Sequence, residues 1–146
     1  MDFETTLKMR IYGLTVENAQ VPSLDRLSSD LGRSRQEIEA ECASLGAKRL
    51  LVLDNVSGEI RMAPPFSGVS TPHKVTVGDK TYSANCIWDA FGVAAALGAD
   101  AEITTGCADC GEAMSFQVRN GSPVPAPCAI HYAVPAAHWW DDIVFT

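Results

Sequence analysis

The sequence predicts an α+β protein in which a helical first unit precedes a mostly β second unit. Apolar residues recur at helical spacing through Leu45, and residues 73–84 alternate at strand spacing. The segment Ala63-Pro64-Pro65-Phe66-Ser67-Gly68 lies between the two patterns, and two prolines and a glycine interrupt regular structure. We therefore predict two domains, residues 1–62 and residues 63–146.

Three short helices are predicted for the first unit. Their apolar positions are, in chain order, Leu7, Ile11 and Leu14; Leu24, Leu27 and Leu31; and Ile38, Cys42 and Leu45. Gly32 is expected to end the second helix and Gly46 the third. Ser34 and Glu37 have the spacing of a capping box, which predicts the start of the third helix.

Two short strands, residues 50–53 and 59–62, follow these helices around a turn. Three helices and a two-stranded wing predict a winged helix-turn-helix, whose typical function is DNA binding through the third helix. The predicted third helix and its approach carry two arginines and three glutamates: Arg33, Arg35, Glu37, Glu39 and Glu41. This acidic balance favours a structural or interface role, and nucleic acid is not an expected partner.

The second unit is predicted to be mostly sheet around one helix. Residues 73–77 and 80–84 alternate around the turn Gly78-Asp79, as a hairpin does. The further elements are a helix from Cys86 to Gly98, strands at 101–105 and 114–118, and a strand-like segment at 129–134. The predicted second domain is therefore a small mixed α/β unit.

A thiol and a carboxylate lie one helical turn apart in the segment Asn85-Cys86-Ile87-Trp88-Asp89. Residues at positions i and i+3 share one face of a helix, so Cys86 and Asp89 can address one ligand together. The positive end of the helix dipole is expected to favour the thiolate of Cys86. The alternative is a buried structural cysteine, because free cysteines are often buried in protein cores.

Two further pairs have the spacing of metal ligands. Cys107 and Cys110 lie in a glycine-flanked turn, and Cys128 and His131 repeat the same spacing. Together these four residues could form a tetrahedral zinc site. A strand would point Cys128 and His131 to opposite faces, so a reduced CxxC pair without a metal is the alternative.

Composition excludes several classes of partner. Eighteen acidic and eleven basic residues give a net charge of −7, which repels nucleic acid and anionic membranes. The beginning MDFETTLKMRIYG lacks the pattern of a secretory signal, and no apolar run approaches the ~20 residues of a membrane span. We therefore expect a cytoplasmic protein without a membrane partner, in which the five cysteines are reduced.

These motifs together resemble the alkylmercury lyases, also called organomercurial lyases. The resemblance follows the same order along most of the chain: the winged-helix start, Ala63–Ser67, Asn85–Asp89, Ala96–Ala101 and the cysteine-containing turn before Gly111-Glu112. It implies a helical N-terminal domain followed by a mixed α/β catalytic domain. It also implies that Cys86 binds the organomercurial through sulfur, while Asp89 handles the proton that converts the leaving carbon into a hydrocarbon.

The residue types fit this chemistry. Mercury is a soft metal that prefers thiolate ligands, and a carboxyl group one turn away can deliver a proton as a general acid. The leading hypothesis is an enzyme that cleaves carbon–mercury bonds, requires no cofactor and takes a small organomercurial or soft-metal ligand. Its thiolates could hold Hg(II) or Zn(II), with Cys86, Cys107 and Cys110 as the candidate metal ligands.

The resemblance also implies a second catalytic cysteine, which would follow Phe145-Thr146, where this sequence stops. Cys107, Cys110 or Cys128 could supply a second sulfur from elsewhere in the fold. The alternative function is a non-catalytic module that binds metals through thiols or has a regulatory role. The sequence leaves the choice between turnover and binding open, and it does not predict the oligomeric state.

Overall fold

The computed structural model describes residues 1–146 and has the mixed α+β class that the sequence predicts. Helices come first and sheets follow. The helices are α1 (Phe3–Asn18), α2 (Leu24–Leu31), α3 (Arg35–Ala47) and α4 (Ile87–Leu97), with a 3-10 helix at Ala136–Asp141. The strands are β1 (Val52–Leu53), β2 (Ile60–Ala63), β3 (Phe66–Ser67), β4 (Lys74–Val77), β5 (Lys80–Ser83), β6 (Ala101–Gly106), β7 (Ala113–Arg119) and β8 (Ser122–Pro123).

The ends of the N-terminal helices follow their local sequence. The Ser34 side chain accepts from the Glu37 N–H while the Glu37 side chain accepts from the Ser34 N–H, so the predicted capping box is confirmed. Gly32 ends α2 at φ 62°, a left-handed conformation that glycine adopts without a steric penalty. Helix α3 continues past Gly46 to Ala47, one residue beyond its predicted end.

The predicted apolar stripes form the core of the helical unit. Eight of the nine positions are completely buried: Leu7, Ile11, Leu14, Leu24, Leu27, Ile38, Cys42 and Leu45. Burying a leucine or isoleucine side chain stabilises a protein by about 1.5–3 kcal/mol. The three helices are therefore held together mainly by their facing stripes.

A small antiparallel sheet, with strand order β1-β2-β3, follows the helices. Pro64 and Pro65 form the turn between β2 and β3, so the sheet contains residues on both sides of the predicted boundary at 62/63. An isolated bridge between Phe66 and Ala84 then connects β3 to the end of β5. The division into two domains stays a prediction.

The second sheet has five antiparallel strands in the order β5-β4-β6-β7-β8. The predicted hairpin and the two predicted strands after α4 are confirmed as β4, β5, β6 and β7, with small differences at their ends. The strand-like segment 129–134 forms no strand and leads instead into the 3-10 helix. Helix α4 packs on β4 and β6, where Val75, Ile103 and Val93 are fully buried.

The arginines near the start of α3 are paired with carboxylates. Arg35 bonds to Asp25, Glu39 and Glu59, and Arg33 bonds to Glu37. These ion pairs are partly or fully exposed, where each contributes about 0–1 kcal/mol. They occupy the cationic groups that a phosphate backbone would need. No helix in the chain has the length and apolar character required to cross a membrane.

Candidate functional site

Cys86 and Asp89 lie together at the beginning of α4. Cys86 is the N-cap residue, with extended backbone angles, and its Sγ atom accepts a hydrogen bond of 3.4 Å from the Asp89 N–H. Both side chains are partly buried. The spacing therefore brings the thiol and the carboxyl to one end of the helix, as predicted.

The start of α4 is held against the turn between β2 and β3. Gly92 packs so closely on this turn that an added Cβ would lie 3.2 Å from the Pro65 Cβ atom. Ala90, Val93 and Ala94 face the core on the other side of the helix. The small residues of α4 thus allow the helix end that carries Cys86 to approach the proline turn.

Asn85 connects the site to the same turn. Its Nδ2 atom donates to Asp89 Oδ2 at 3.0 Å and to the carbonyl oxygens of Pro65 and Phe66 at 3.3 Å each. Tyr12 from α1 donates its hydroxyl to the Pro64 carbonyl at 2.9 Å. Sequence reasoning did not single out Asn85, whose only signal is its place beside Cys86.

Burial raises the pKa of Asp89, and the hydrogen bond from Asn85 offsets part of that effect. A carboxyl group out of water favours its neutral form, because the charged form loses hydration. Near neutral pH, Asp89 is therefore protonated in a larger fraction of molecules than an exposed aspartate is. This property suits a proton donor.

Burial also raises the pKa of the Cys86 thiol. The N–H groups of Asp89 and Trp88 act in the opposite direction, while the negative charge of Asp89 adds to the increase. The pKa of Cys86 is therefore raised overall, whereas its position at the start of the helix predicts a lowered pKa. The expectation of a favoured thiolate was wrong because desolvation outweighs the N–H donors at this partly buried position.

An aromatic cluster lies beside the pair and consists of Trp88, Tyr132 and Trp139. The rings of Trp88 and Tyr132 meet edge-on at 6.4 Å, and those of Tyr132 and Trp139 are 5.1 Å apart. These residues line an apolar cavity of about 490 Å³. Burial raises the pKa of Tyr132, and the charges of Cys86 and Asp89 add to the increase, so the phenol lies within their electrostatic reach.

A larger cavity of about 930 Å³ lies between α4, the β6–β7 hairpin and the segment 121–131. Most of its lining is apolar, and Trp88 lines both cavities. Its polar part includes His73, whose Nδ1 atom is 2.7 Å from Thr105 Oγ1. The chain thus offers space for apolar groups on both sides of Trp88.

The four-ligand zinc site is not assembled. Cys107, Cys128 and His131 line the larger cavity, but no group of three or more His, Cys, Asp or Glu side chains is close enough to hold a metal ion. The physical reason is that Cys128 and His131 lie in an irregular, exposed segment, whereas Cys107 and Cys110 belong to the β6–β7 turn.

The candidate metal ligands Cys86, Cys107 and Cys110 likewise do not form a group of three that could hold one metal ion. Cys107 and Cys110 instead form a local pair. Backbone N–H groups of Cys110 and Asp109, together with the Cys110 thiol, lower the pKa of Cys107. No third His, Cys, Asp or Glu joins Cys86 and Asp89 as a metal ligand.

The chain is similar to known proteins both in sequence and in fold. The family model of the alkylmercury lyases, MerB, matches residues 66–146, which is more than half of the chain and includes Cys86 and Asp89. The crystal structure of the mercury-bound form of MerB2 has a similar fold, with a TM-score of 0.64 at 22% sequence identity. The similarity covers 86% of this chain and 60% of that one. No curated protein sequence matches.

Proposed function

This chain belongs to the alkylmercury lyase family, and on that premise we propose that Cys86 and Asp89 cleave carbon–mercury bonds. The observation that carries the proposal is the contact of the two residues at the start of α4, where the Asp89 N–H donates to Cys86 Sγ at 3.4 Å. A soft thiol ligand and a partly buried acid thus meet within the segment that the family model matches.

Capture of the substrate is the first step. Cys86 loses its proton to solvent, and its sulfur forms a bond to the mercury of an organomercurial cation. Mercury binds thiolate in preference to harder ligands, so binding draws the thiol to its deprotonated form even where burial raises the pKa. The N–H groups of Trp88 and Asp89 point to the sulfur and stabilise its negative charge.

Proton transfer to carbon is the second step. Asp89, kept partly neutral by burial, gives its proton to the carbon atom while the carbon–mercury bond breaks. The electron pair of that bond forms the new carbon–hydrogen bond, the mercury stays on Cys86 as a cation, and Asp89 becomes a carboxylate. The products are a hydrocarbon and inorganic mercury.

We also propose that residues 1–62 act as a structural winged-helix-like domain. Three helices followed by the β1–β2 pair support this assignment. The carboxylates paired with Arg33 and Arg35 support a role in packing rather than in binding DNA. Tyr12 connects α1 to the turn between β2 and β3 through its hydrogen bond to the Pro64 carbonyl, which supports the same packing role.

A non-catalytic thiol module is the second candidate. It is favoured by the absence of a third metal-ligating side chain beside Cys86 and Asp89, because two sulfurs would weaken a carbon–mercury bond more than one. In this case the chain would bind a mercurial at Cys86 without releasing a hydrocarbon. The two candidates therefore differ in product and not in binding.

Incubation with phenylmercury tests the proposal. We expect the wild-type chain to release benzene, measured by gas chromatography, and Cys86→Ser to release no more than a small-thiol blank. Cys110→Ser is a matched control, because it removes an exposed thiol outside the pair. Phenylmercury binding without benzene above the blank in the wild type would favour the non-catalytic module.

A further inference from the structure

Asn85 connects the carboxyl of Asp89 to the turn between β2 and β3. Its Nδ2 atom lies within hydrogen-bond distance of three oxygens, namely Asp89 Oδ2, the Pro65 carbonyl and the Phe66 carbonyl. No other side chain donates a hydrogen bond to the Asp89 carboxyl. Asn85 is therefore the side chain that fixes where this carboxyl lies.

The orientation of the Asn85 amide is determined by the turn. The carbonyls of Pro65 and Phe66 can only accept hydrogen bonds, so the NH₂ group and not the oxygen has to face them. The Oδ1 atom of Asn85 is then buried without a partner, which is unfavourable and uncommon. With the NH₂ group facing the turn, Asn85 presents a donor and not an acceptor to the Asp89 carboxyl.

We propose that Asn85 is a positioning residue that determines which oxygen of Asp89 delivers the proton. A neutral carboxyl group accepts a hydrogen bond better on its carbonyl oxygen than on its hydroxyl oxygen. The donor on Oδ2 thus makes Oδ2 the carbonyl oxygen and leaves the proton on Oδ1. This inference rests on the proposed lyase function.

The same hydrogen bond favours the reaction as it proceeds. When the proton moves from Oδ1 to carbon and the carbon–mercury bond breaks, Asp89 gains a negative charge. A hydrogen bond from an N–H to a carboxylate is stronger than one to a neutral acid. The Asn85 donor therefore stabilises the transition state more than the bound substrate, which is the condition for raising kcat.

The surroundings of Asp89 contain three further polar groups, and none replaces this donor. Cys86 lies on the same helix end, Tyr12 comes from α1 and Tyr132 from the C-terminal segment. The Tyr12 hydroxyl is already bonded to the Pro64 carbonyl. Loss of the Asn85 amide would accordingly leave the carboxyl without a side-chain donor.

Asn85→Leu tests the proposal, because leucine has a similar volume but no donor. We expect kcat for benzene release from phenylmercury to fall at least about tenfold, the size of one hydrogen bond to a charged group. The second-order rate of mercurial capture by Cys86 should stay within about twofold. Equal losses in capture and release would mean a purely structural role and would overturn the proposal, as would an unchanged kcat.

Tyr12→Phe is the matched control, because it removes a hydrogen bond to the same turn and leaves the Asn85 donor in place. We expect it to keep the wild-type kcat. A loss of kcat equal to that of Asn85→Leu would assign the effect to the turn and contradict a specific role of the amide.

Nuclear magnetic resonance of the Asn85 side-chain amide gives a second readout that needs no turnover. We expect one NH₂ proton of the wild-type protein to exchange slowly with solvent and to change its chemical shift in Asp89→Ala. An Asn85 amide that does not respond to Asp89→Ala, in a chain that releases benzene, would overturn the positioning role alone. A wild-type chain that releases no benzene would overturn the lyase function and the role that rests on it.

Discussion

Helices α3 and α4 begin with the same arrangement and differ in chemistry. At α3, the Ser34 side chain accepts from the Glu37 N–H at 3.2 Å, and at α4 Cys86 Sγ accepts from the Asp89 N–H at 3.4 Å. In both cases an N-cap residue is followed, three positions later, by an acid. The sequence spacing alone does not distinguish a surface cap from a reactive pair.

Burial and hydrogen-bond partners separate the two helix starts. Glu37 is exposed and accepts hydrogen bonds from Ser34 and Arg33, which lower its pKa. Asp89 is partly buried with one side-chain donor, and burial raises its pKa. The comparison teaches that spacing places an acid at a helix start, whereas its surroundings decide whether it holds a proton.

The largest effect on activity is expected from neutralising Asp89. Asp89→Asn keeps the shape of the side chain but removes the proton donor, and we expect benzene release from phenylmercury to fall roughly 10²–10⁴-fold, the usual contribution of a general acid. Mercurial binding to Cys86 should persist, as measured by mass spectrometry of the adduct.

Glu37→Gln is the matched control for this prediction, because it neutralises the acid at the same position of α3. We expect it to leave benzene release unchanged. A similar loss in both variants would contradict the distinction between the two helix starts.

A smaller effect is expected on stability. Ser34→Ala removes the side-chain acceptor of the α3 capping box, and we expect the free energy of unfolding to fall by about 1 kcal/mol. Cys86→Ser keeps an acceptor at the α4 N-cap, and serine is a preferred N-cap residue, so the decrease should be smaller. Urea denaturation measures both, and a larger loss for Cys86→Ser would show that the thiol packs as a core group.

The smallest effect is a difference in how the two acids respond to pH. The pKa of Asp89 is raised on folding, so the folded chain keeps this proton longer than the unfolded chain. Its contribution to stability falls as pH rises from the unfolded pKa through the raised folded pKa. We expect Asp89→Asn to remove that decrease, as measured by urea denaturation across this pH range.

Glu37 should respond with the opposite sign. Its pKa is lowered on folding, so its stabilisation is complete above the unfolded pKa and is lost as pH falls through the lowered folded pKa. We therefore expect the Glu37→Gln variant to lose less stability than the wild type as the pH falls through this range. Identical pH profiles for the Asp89 and Glu37 variants would contradict the opposite shifts.

Local patterns in the sequence predicted most of the elements. The stripes of the first three helices, the capping box of Ser34 and Glu37, and the hairpin of β4 and β5 depend on residues that are close in the chain. Such features follow from helical and strand periodicity and from local hydrogen bonds. The position of Cys86 one helical turn before Asp89 is another feature that depends only on residues close in the chain.

Features that depend on distant residues were predicted less well. The two halves of the possible zinc site lie in different segments and are not assembled, because spacing within each half carries no information about the distance between them. The net pKa shift of Cys86 was wrong in direction because a helix position does not specify burial. Asn85 was missed because its partners Pro65 and Phe66 are about twenty positions away.

Residue types and their spacing were enough to predict the order of the elements, the place of the thiol one turn before the carboxyl, and the resemblance to a family that the comparison confirms. The chemical behaviour of the thiol and the carboxyl depends on how the chain packs around them. The tertiary structure brought the proline turn against α4, partly buried Cys86 and Asp89, and gave Asp89 its donor from Asn85. The physical reason is that a residue's type and spacing are local properties, whereas desolvation and hydrogen bonding depend on which distant segments pack around it.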